Sequence, residues 1–512
     1  MRPRPAPVPR AIRNVLANWA GYVVAMVLSF FLTPLVVHYL GASAYGVWTL
    51  LVTLTAYLGL LDLGVRSAVT RYVARCHSQG DHATAIRIVS TALVLFAGMA
   101  GATLLASVGL GLAVPRVFNI PVEYRESTVI VMALAGASAG VALVNGVFGG
   151  VIVGLQRFDL ICALDVGTAL LRAALVLRVI VAGGGLVELA SIQLVSRIAG
   201  GLLTAWVSLR FYPQLRLRPE WSWPHLRLIF SYGGYSFGAQ LSAAVIDRSG
   251  VIIIGAFLPM TAVTVLAIAS GLVDYARILA GGIRTTLPPL ASALEARGRR
   301  QELQDLMLWG ARCCTMLVLP IAATFALRGS SFIGLWMGAE YGGPAGEVLA
   351  ILALRLVFLG ATGAAANVML GAGRPRAVAG MFAAEAVVTV AAIALLVRPF
   401  GVAGVAWGMT VPGVAAGVLL WPWYAGHSVG VGVRQYVISS WVLPVTAVSP
   451  FVAATWLVER LWPAPSLLVF FAQVAVLVPL ALLGFWHVSL SDHERQRCLA
   501  MFGRSAVTDV RG

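Results

Sequence analysis

The sequence predicts an all-α polytopic membrane protein of about fourteen transmembrane helices, built as two parallel six-helix repeats followed by two extra C-terminal helices. Three observations carry this expectation. Of 512 residues, 60% are hydrophobic and only 11% are charged, with a mean hydropathy of +0.90, too little polar surface for a water-soluble globule. Apolar runs near the ~20 residues needed to cross ~30 Å of hydrocarbon recur along the whole chain. Landmarks in the first half return in the second at a nearly constant spacing.

Runs bounded by Arg, Pro or Gly place six spans at 14–37, 44–65, 86–110, 128–153, 160–182 and 187–211. Six more fall at 229–257, 262–283, 306–327, 346–370, 377–397 and 402–421, and two others at 437–458 and 467–486. The first run follows basic residues and precedes Ala42-Ser43-Ala44, which imitates a cleaved signal. It is longer than the 7–15 residues of a signal core, so it is expected to be a retained span. The resulting organisation is a cytoplasmic tail (1–13), a six-helix lobe (14–212), an amphipathic cytoplasmic linker (213–228), a second six-helix lobe (229–434), two added helices (435–486) and a cytoplasmic tail (487–512).

All 36 basic residues are Arg, which excludes a Walker A lysine and a Schiff-base lysine in this chain. A net charge of +16 suggests nucleic acid in a soluble protein, but loop alternation accounts for most of it. Segments expected inside carry clusters such as Arg2, Arg4, Arg10 and Arg13, or Arg297, Arg299 and Arg300. Those expected outside carry Arg116, Arg125, Arg328, Arg398 and Arg460. This asymmetry puts both termini in the cytoplasm and leaves no role for nucleic acid. The five cysteines have no paired spacing, and Cys76, His77, Asp81 and His82 fit no standard metal site, so neither disulfides nor a metal are expected.

The repeat has an offset of about 217 residues. Tyr57 and Arg66 fall on Tyr275 and Arg284, Gly154 and Arg157 on Gly371 and Arg374, and Gly185, Ala190 and Gly201 on Gly401, Ala406 and Gly417. A repeat of six spans is even, so both copies start on the same side, as in transporters with parallel repeats.

The stretch from His38 to Arg75, together with Gly154–Asp159 (GLQRFD), Asp247–Leu258 (DRSGVIIIGAFL) and Gly401–Gly408 (GVAGVAWG), resembles the polysaccharide-biosynthesis flippases of the multidrug/oligosaccharidyl-lipid/polysaccharide transporter superfamily. The resemblance implies a fourteen-helix fold in the bacterial inner membrane that moves a polyprenyl-pyrophosphate-linked glycan. It also implies polysaccharide polymerase and chain-length machinery as further partners, beside membrane lipids. No cofactor is implied.

Arg172, Arg197, Arg248, Arg277, Arg312 and Arg355 interrupt apolar runs. A charge at bilayer depth costs about 2.5–3.5 kcal/mol on insertion scales, so each needs water, a counter-ion or a ligand. The candidate pyrophosphate and cavity residues are Arg277, Arg66, Arg284 and Arg172, because a guanidinium fork binds phosphate oxygens in pairs. Ser270, Asp274, Arg277, Gly281 and Arg284 form a polar stripe on one helix face, and Asp165, Thr168 and Arg172 share another. The candidate coupling or counter-ion carboxylates are Asp247, Asp274, Asp62 and Glu385. For each cation a structural reading stays open: Arg66 and Arg284 as positive-inside markers, Arg197 as a strut, Arg355 neutralised by Glu385, Arg312 snorkelling to the headgroups. Gly136-Ala137-Ser138-Ala139-Gly140 matches a hydrolase elbow but sits within a membrane run, so helix packing is expected instead.

The function these residues favour is a flippase working by alternating access between two lobes. The alternatives are a peptidoglycan-precursor flippase and a cation-coupled multidrug exporter. An enzyme is disfavoured, because the longest expected outer loop, 328–346, offers only Glu340 as an acid.

Overall fold

The computed structural model describes residues 8–62, 65–215, 222–490 and 494–495; the linker expected at 213–228 and both tails fall partly or largely outside them. Among the described residues every regular element is a helix. The chain forms two compact units, Met1–Ala267 and Ile268–Gly512.

The first unit contains α1 (Val8–Leu40), α2 (Ala42–Leu58), a 3-10 turn at Gly59–Asp62, α3 (Val65–Gln79), α4 (His82–Val117), α5 (Arg125–Gly154), α6 (Phe158–Ala182), α7 (Leu186–Phe211) and α8 (Trp223–Phe257). The division between units falls inside α9 (Met260–Arg284). The second unit continues with α10 (Leu287–Ala296), α11 (Arg300–Met337), α12 (Ala339–Gly371), α13 (Pro375–Ala415), α14 (Trp421–Val429), α15 (Val433–Val437), α16 (Leu443–Leu461) and α17 (Leu467–Gly484).

Twelve of the described helical stretches are long and apolar enough to cross a membrane. Two details reconcile this with fourteen spans. The stretch Pro375–Val429 has 55 residues, more than twice the ~20 a bilayer needs, and Gly401 at φ +59 breaks it between the expected eleventh and twelfth spans. The second span is divided: α2 has 17 residues and the chain turns through Gly59–Asp62 before α3 resumes.

In the first unit α5 is the hub, packed by α4, α7 and α3. Small residues set these approaches. A Cβ on Gly136 would lie 2.4 Å from Ser107 Cβ, and one on Gly140 would lie 3.2 Å from Ala100 Cα, so the Gly-x-Ser-x-Gly pattern is a seam against α4. On another side, Gly150 and Gly154 admit α3: their Cβ atoms would lie 3.3 Å from Arg66 O and 3.0 Å from Thr70 O. Gly146, Gly150 and Gly154 thus form a small-residue row with one residue per helical turn.

In the second unit α11 and α12 pack most extensively. The sequence leaves 328–346 as an outer loop, but α11 runs to Met337, α12 starts at Ala339, and Gly338 at φ +106 joins them. The glycines that suggested a loop serve close packing: a Cβ on Gly346 would lie 2.6 Å from Ser330 Cα, and one on Gly329 would lie 3.1 Å from Leu349 Cδ2. Arg328 is therefore inside a helix, with its side chain 0% exposed. It meets Glu459 of α16 at 2.6 Å and Gln473 of α17 at 2.6 Å, and stacks over the Phe470 ring at 4.6 Å. Ser331 donates to the same carboxylate. This network ties the last two helices to α11.

Candidate functional site

The break between α2 and α3 creates the principal polar surface of the first unit. Thr55 donates to Leu51 O at 2.8 Å within α2, and the chain then unwinds through Gly59–Asp62. Asp62 Oδ1 accepts the Arg66 backbone N–H at 3.2 Å, which caps the first turn of α3, whose second residue carries the guanidinium. The Arg66 side chain then runs along α5. A Cβ on Gly146 would lie 3.8 Å from its Cδ and one on Gly149 3.7 Å from Nη2, so the side chain lies along this glycine face at ordinary contact distance.

These elements enclose a pocket of about 330 Å³ whose polar lining is Thr55, Asp62, Arg66, Ser138, Gln193 and Arg197. Gln193 and Arg197 come from α7, one turn apart. From α6, Asp165 is within electrostatic reach of both Arg66 and Arg197, and Arg172 within reach of Arg197. Among the described residues of this group, three guanidiniums stand against two carboxylates. An excess cation at membrane depth is costly without an anion, and an anionic ligand removes that cost.

The structure thus brings Arg66 and Asp62 together, sets Arg172 near Arg197, and adds Arg197, Gln193 and Ser138 to the pocket. The signal for Gln193 and Arg197 was their i, i+4 spacing on one face. The signal for the close approach of α3, which carries Arg66, was the Gly146-Gly150-Gly154 row. Asp247 and Arg248 of α8 act on the Tyr57 ring instead, whose hydroxyl donates to Ala244 O at 3.1 Å.

In the second unit the stripe on α9 is formed as spaced. Arg277 pairs with Asp274 at 3.3 Å, with the Asp274 side chain 60% exposed and that of Arg277 26% exposed. Arg284 Nη2 donates to Arg277 O at 2.9 Å, and a Cβ on Gly363 of α12 would lie 2.5 Å from Arg284 Nη1. Gly363 follows Gly146 by 217 residues, the offset expected of the repeat, and an arginine lies beside each glycine. Arg66 opens the helix after its break, whereas Arg284 closes the helix before its own.

Glu385 pairs with Arg355 at 3.5 Å, both side chains nearly buried, and Gly413 leaves room for the arginine. Arg312 does more than snorkel: it binds Glu494 through 2.7 and 3.3 Å contacts. The Cys76–His82 segment has local tasks. Hydrogen bonds from Thr84 hold the Asp81 carboxyl below the usual carboxylate range as it caps α4, while His82 Nδ1 and the Tyr212 hydroxyl lie 2.7 Å apart.

Among the described residues every regular element is a helix and twelve stretches are long and apolar enough to cross a membrane, which defines the class as a multi-pass membrane protein. The polysaccharide biosynthesis protein family matches residues 11–295, and the chain belongs to that family. A membrane protein of Bacillus subtilis (strain 168), EpsK, described as uncharacterized, is 23% identical over 339 residues, covering 64% of this chain and 65% of its own length. The chain therefore spans about two thirds of that relative. Two solved structures share the fold. The lipid II flippase MurJ in an inward closed conformation has a TM-score of 0.67 at 10% identity, covering 92% of this chain and 98% of MurJ. An inward-facing multidrug resistance MATE family transporter has a TM-score of 0.68 at 18% identity, covering 79% of this chain and 93% of its own.

Proposed function

We propose that the protein is a flippase that moves a polyprenyl-pyrophosphate-linked oligosaccharide across the bacterial cytoplasmic membrane for O-antigen, capsule or exopolysaccharide assembly, by alternating access. The observation that carries this reading is the pocket where Arg66 and Arg197 converge with Gln193, Ser138 and Thr55. The planar fork of each guanidinium can bind two oxygens of a pyrophosphate, and the neutral donors suit the oxygens that flank it. Arg277 and Arg284 offer a second, repeat-related cationic surface in their own unit, and Arg172 extends the first. Asp62 and Asp165 offset the first group of cations and Asp274 offsets Arg277 when no substrate is bound.

A cation exporter would need carboxylates in excess at the pocket, and the balance here favours guanidinium. The loss of the expected outer loop also removes the place where an extracytoplasmic catalytic acid would sit. Both termini are proposed to be cytoplasmic, with the glycan polymerase as the downstream partner.

The test is complementation. In a strain lacking its own flippase, the Arg66→Gln and Arg197→Gln proteins are expected to reach the membrane at wild-type abundance yet restore little surface polysaccharide. Full restoration by both variants would overturn the pyrophosphate assignment.

A further inference from the structure

The second unit holds another cleft, of about 930 Å³, away from the α9 stripe. It lies where α11 and the α15–α16 span both begin, with Asp305 and Arg312 from α11, Arg434 from α15 and Glu494 from the chain beyond α17. Arg312 and Glu494 satisfy one another through two contacts. Arg434 and Asp305 are both exposed, and neither has an ion-pair partner among the described residues.

Position along the helices gives the cleft a gradient. Asp305 lies in the second turn of α11, with Leu308 about one turn and Arg312 about two turns deeper. Arg434 opens its span, and Ile438 and Leu443 follow it inward on the same wall. One cation and one anion without an ion-pair partner among the described residues therefore stand at the mouth; below them Ile438 and Leu443 line the α15–α16 wall, and the α11 wall carries Leu308 and then the Arg312–Glu494 pair. The α15–α16 wall thus has the order of a membrane interface, with charge outside and hydrocarbon within.

The charges select among ligands. A purely anionic headgroup would pair with Arg434 but face Asp305, and a purely cationic one would do the reverse. A headgroup that carries both a phosphate and an ammonium satisfies both. A primary ammonium donates hydrogen bonds to a carboxylate, whereas a trimethylated one has no N–H to donate. We infer that this cleft binds the headgroup of a phosphatidylethanolamine-type lipid, phosphate on Arg434 and ammonium on Asp305, with its chains leaving past Ile438 and Leu443. The inference is independent of which substrate the protein moves.

The experiment is native mass spectrometry of the full-length protein in detergent with equimolar dioleoyl phosphatidylethanolamine, phosphatidylcholine and phosphatidylglycerol. One phosphatidylethanolamine is expected to be retained in preference to the other two lipids. Arg434→Gln and Asp305→Asn should each reduce that retention about tenfold, the loss of one charge-assisted hydrogen bond. Arg434→Lys should keep most of it. Equal retention of phosphatidylglycerol would mean a simple anion site and would overturn the proposal. So would unchanged retention in both charge variants, which would place the adduct elsewhere. The lipid preference of the unmodified protein and the two variants are read separately, so misfolding of one variant leaves the test decisive.

Discussion

Arg284 lies across Gly363 so closely that a Cβ there would come within 2.5 Å of its Nη1, and Arg66 is laid across Gly146 at the repeat-related position. Two unlike helix breaks, one before the arginine and one after it, thus deliver the same pairing of a long cationic side chain with a bare stretch of backbone.

Substitution at the glycines should separate the two copies. Gly363→Ala is expected to displace the Arg284 guanidinium and reduce surface polysaccharide severalfold per copy of membrane protein. Gly146→Ala, where the new Cβ finds 3.8 Å, should be close to neutral, and Gly146→Leu should block the pocket. Equal effects of both alanine variants would contradict the geometry.

The pocket arginines should respond to shape as well as charge. Arg66→Lys and Arg197→Lys keep the charge but lose the planar fork, so transport is expected to fall to an intermediate level, with Gln variants lower by about tenfold or more. The measurement is surface polysaccharide normalised to immunoblotted protein.

Glu385 is expected to behave as a strut. Because it pairs with Arg355 at 3.5 Å, Glu385→Gln should lower abundance or thermal stability and leave transport per molecule largely intact, and combining it with Arg355→Met should recover stability. A Glu385→Gln protein that is abundant but inactive would instead favour ion coupling at this carboxylate.

The Arg328 network should dominate the stability of the last two helices. Breaking a buried pair from one side costs about 3–5 kcal/mol, so Glu459→Gln is expected to lower the unfolding midpoint in detergent clearly. Arg328→Met with Glu459→Leu should recover much of the loss. Unchanged melting of Glu459→Gln would show that α16 and α17 are held by apolar packing alone.

The sequence made the helices and the Asp62–Arg66 and Asp274–Arg277 groupings legible, because each depends on apolar runs or on short spacing along the chain. The Arg355–Glu385 pair was also within reach, since both residues sit at similar depth on consecutive spans. What could not be read were partnerships over long separations. Glu494 lies 182 residues from Arg312, and Glu459 lies 131 from Arg328. Arg328 was further hidden by Gly329, Ser330 and Ser331, which look like a turn in one dimension and are a helix contact in three. Arg197 could be read as a strut or a cavity residue until its neighbours on α5 and α2 were placed around it.

The positions of Arg66 and Arg284 about their breaks also set their electrostatic character. Arg66 sits in the first turn of its helix, where peptide dipoles favour an anion, and the Asp62 carboxylate takes that place on its own N–H. Arg284 sits at a helix end where carbonyls point outward, and those dipoles already quiet its charge. Two arginines at matching places in the sequence thus stand at opposite helix ends, one answered by a carboxylate and the other by carbonyls.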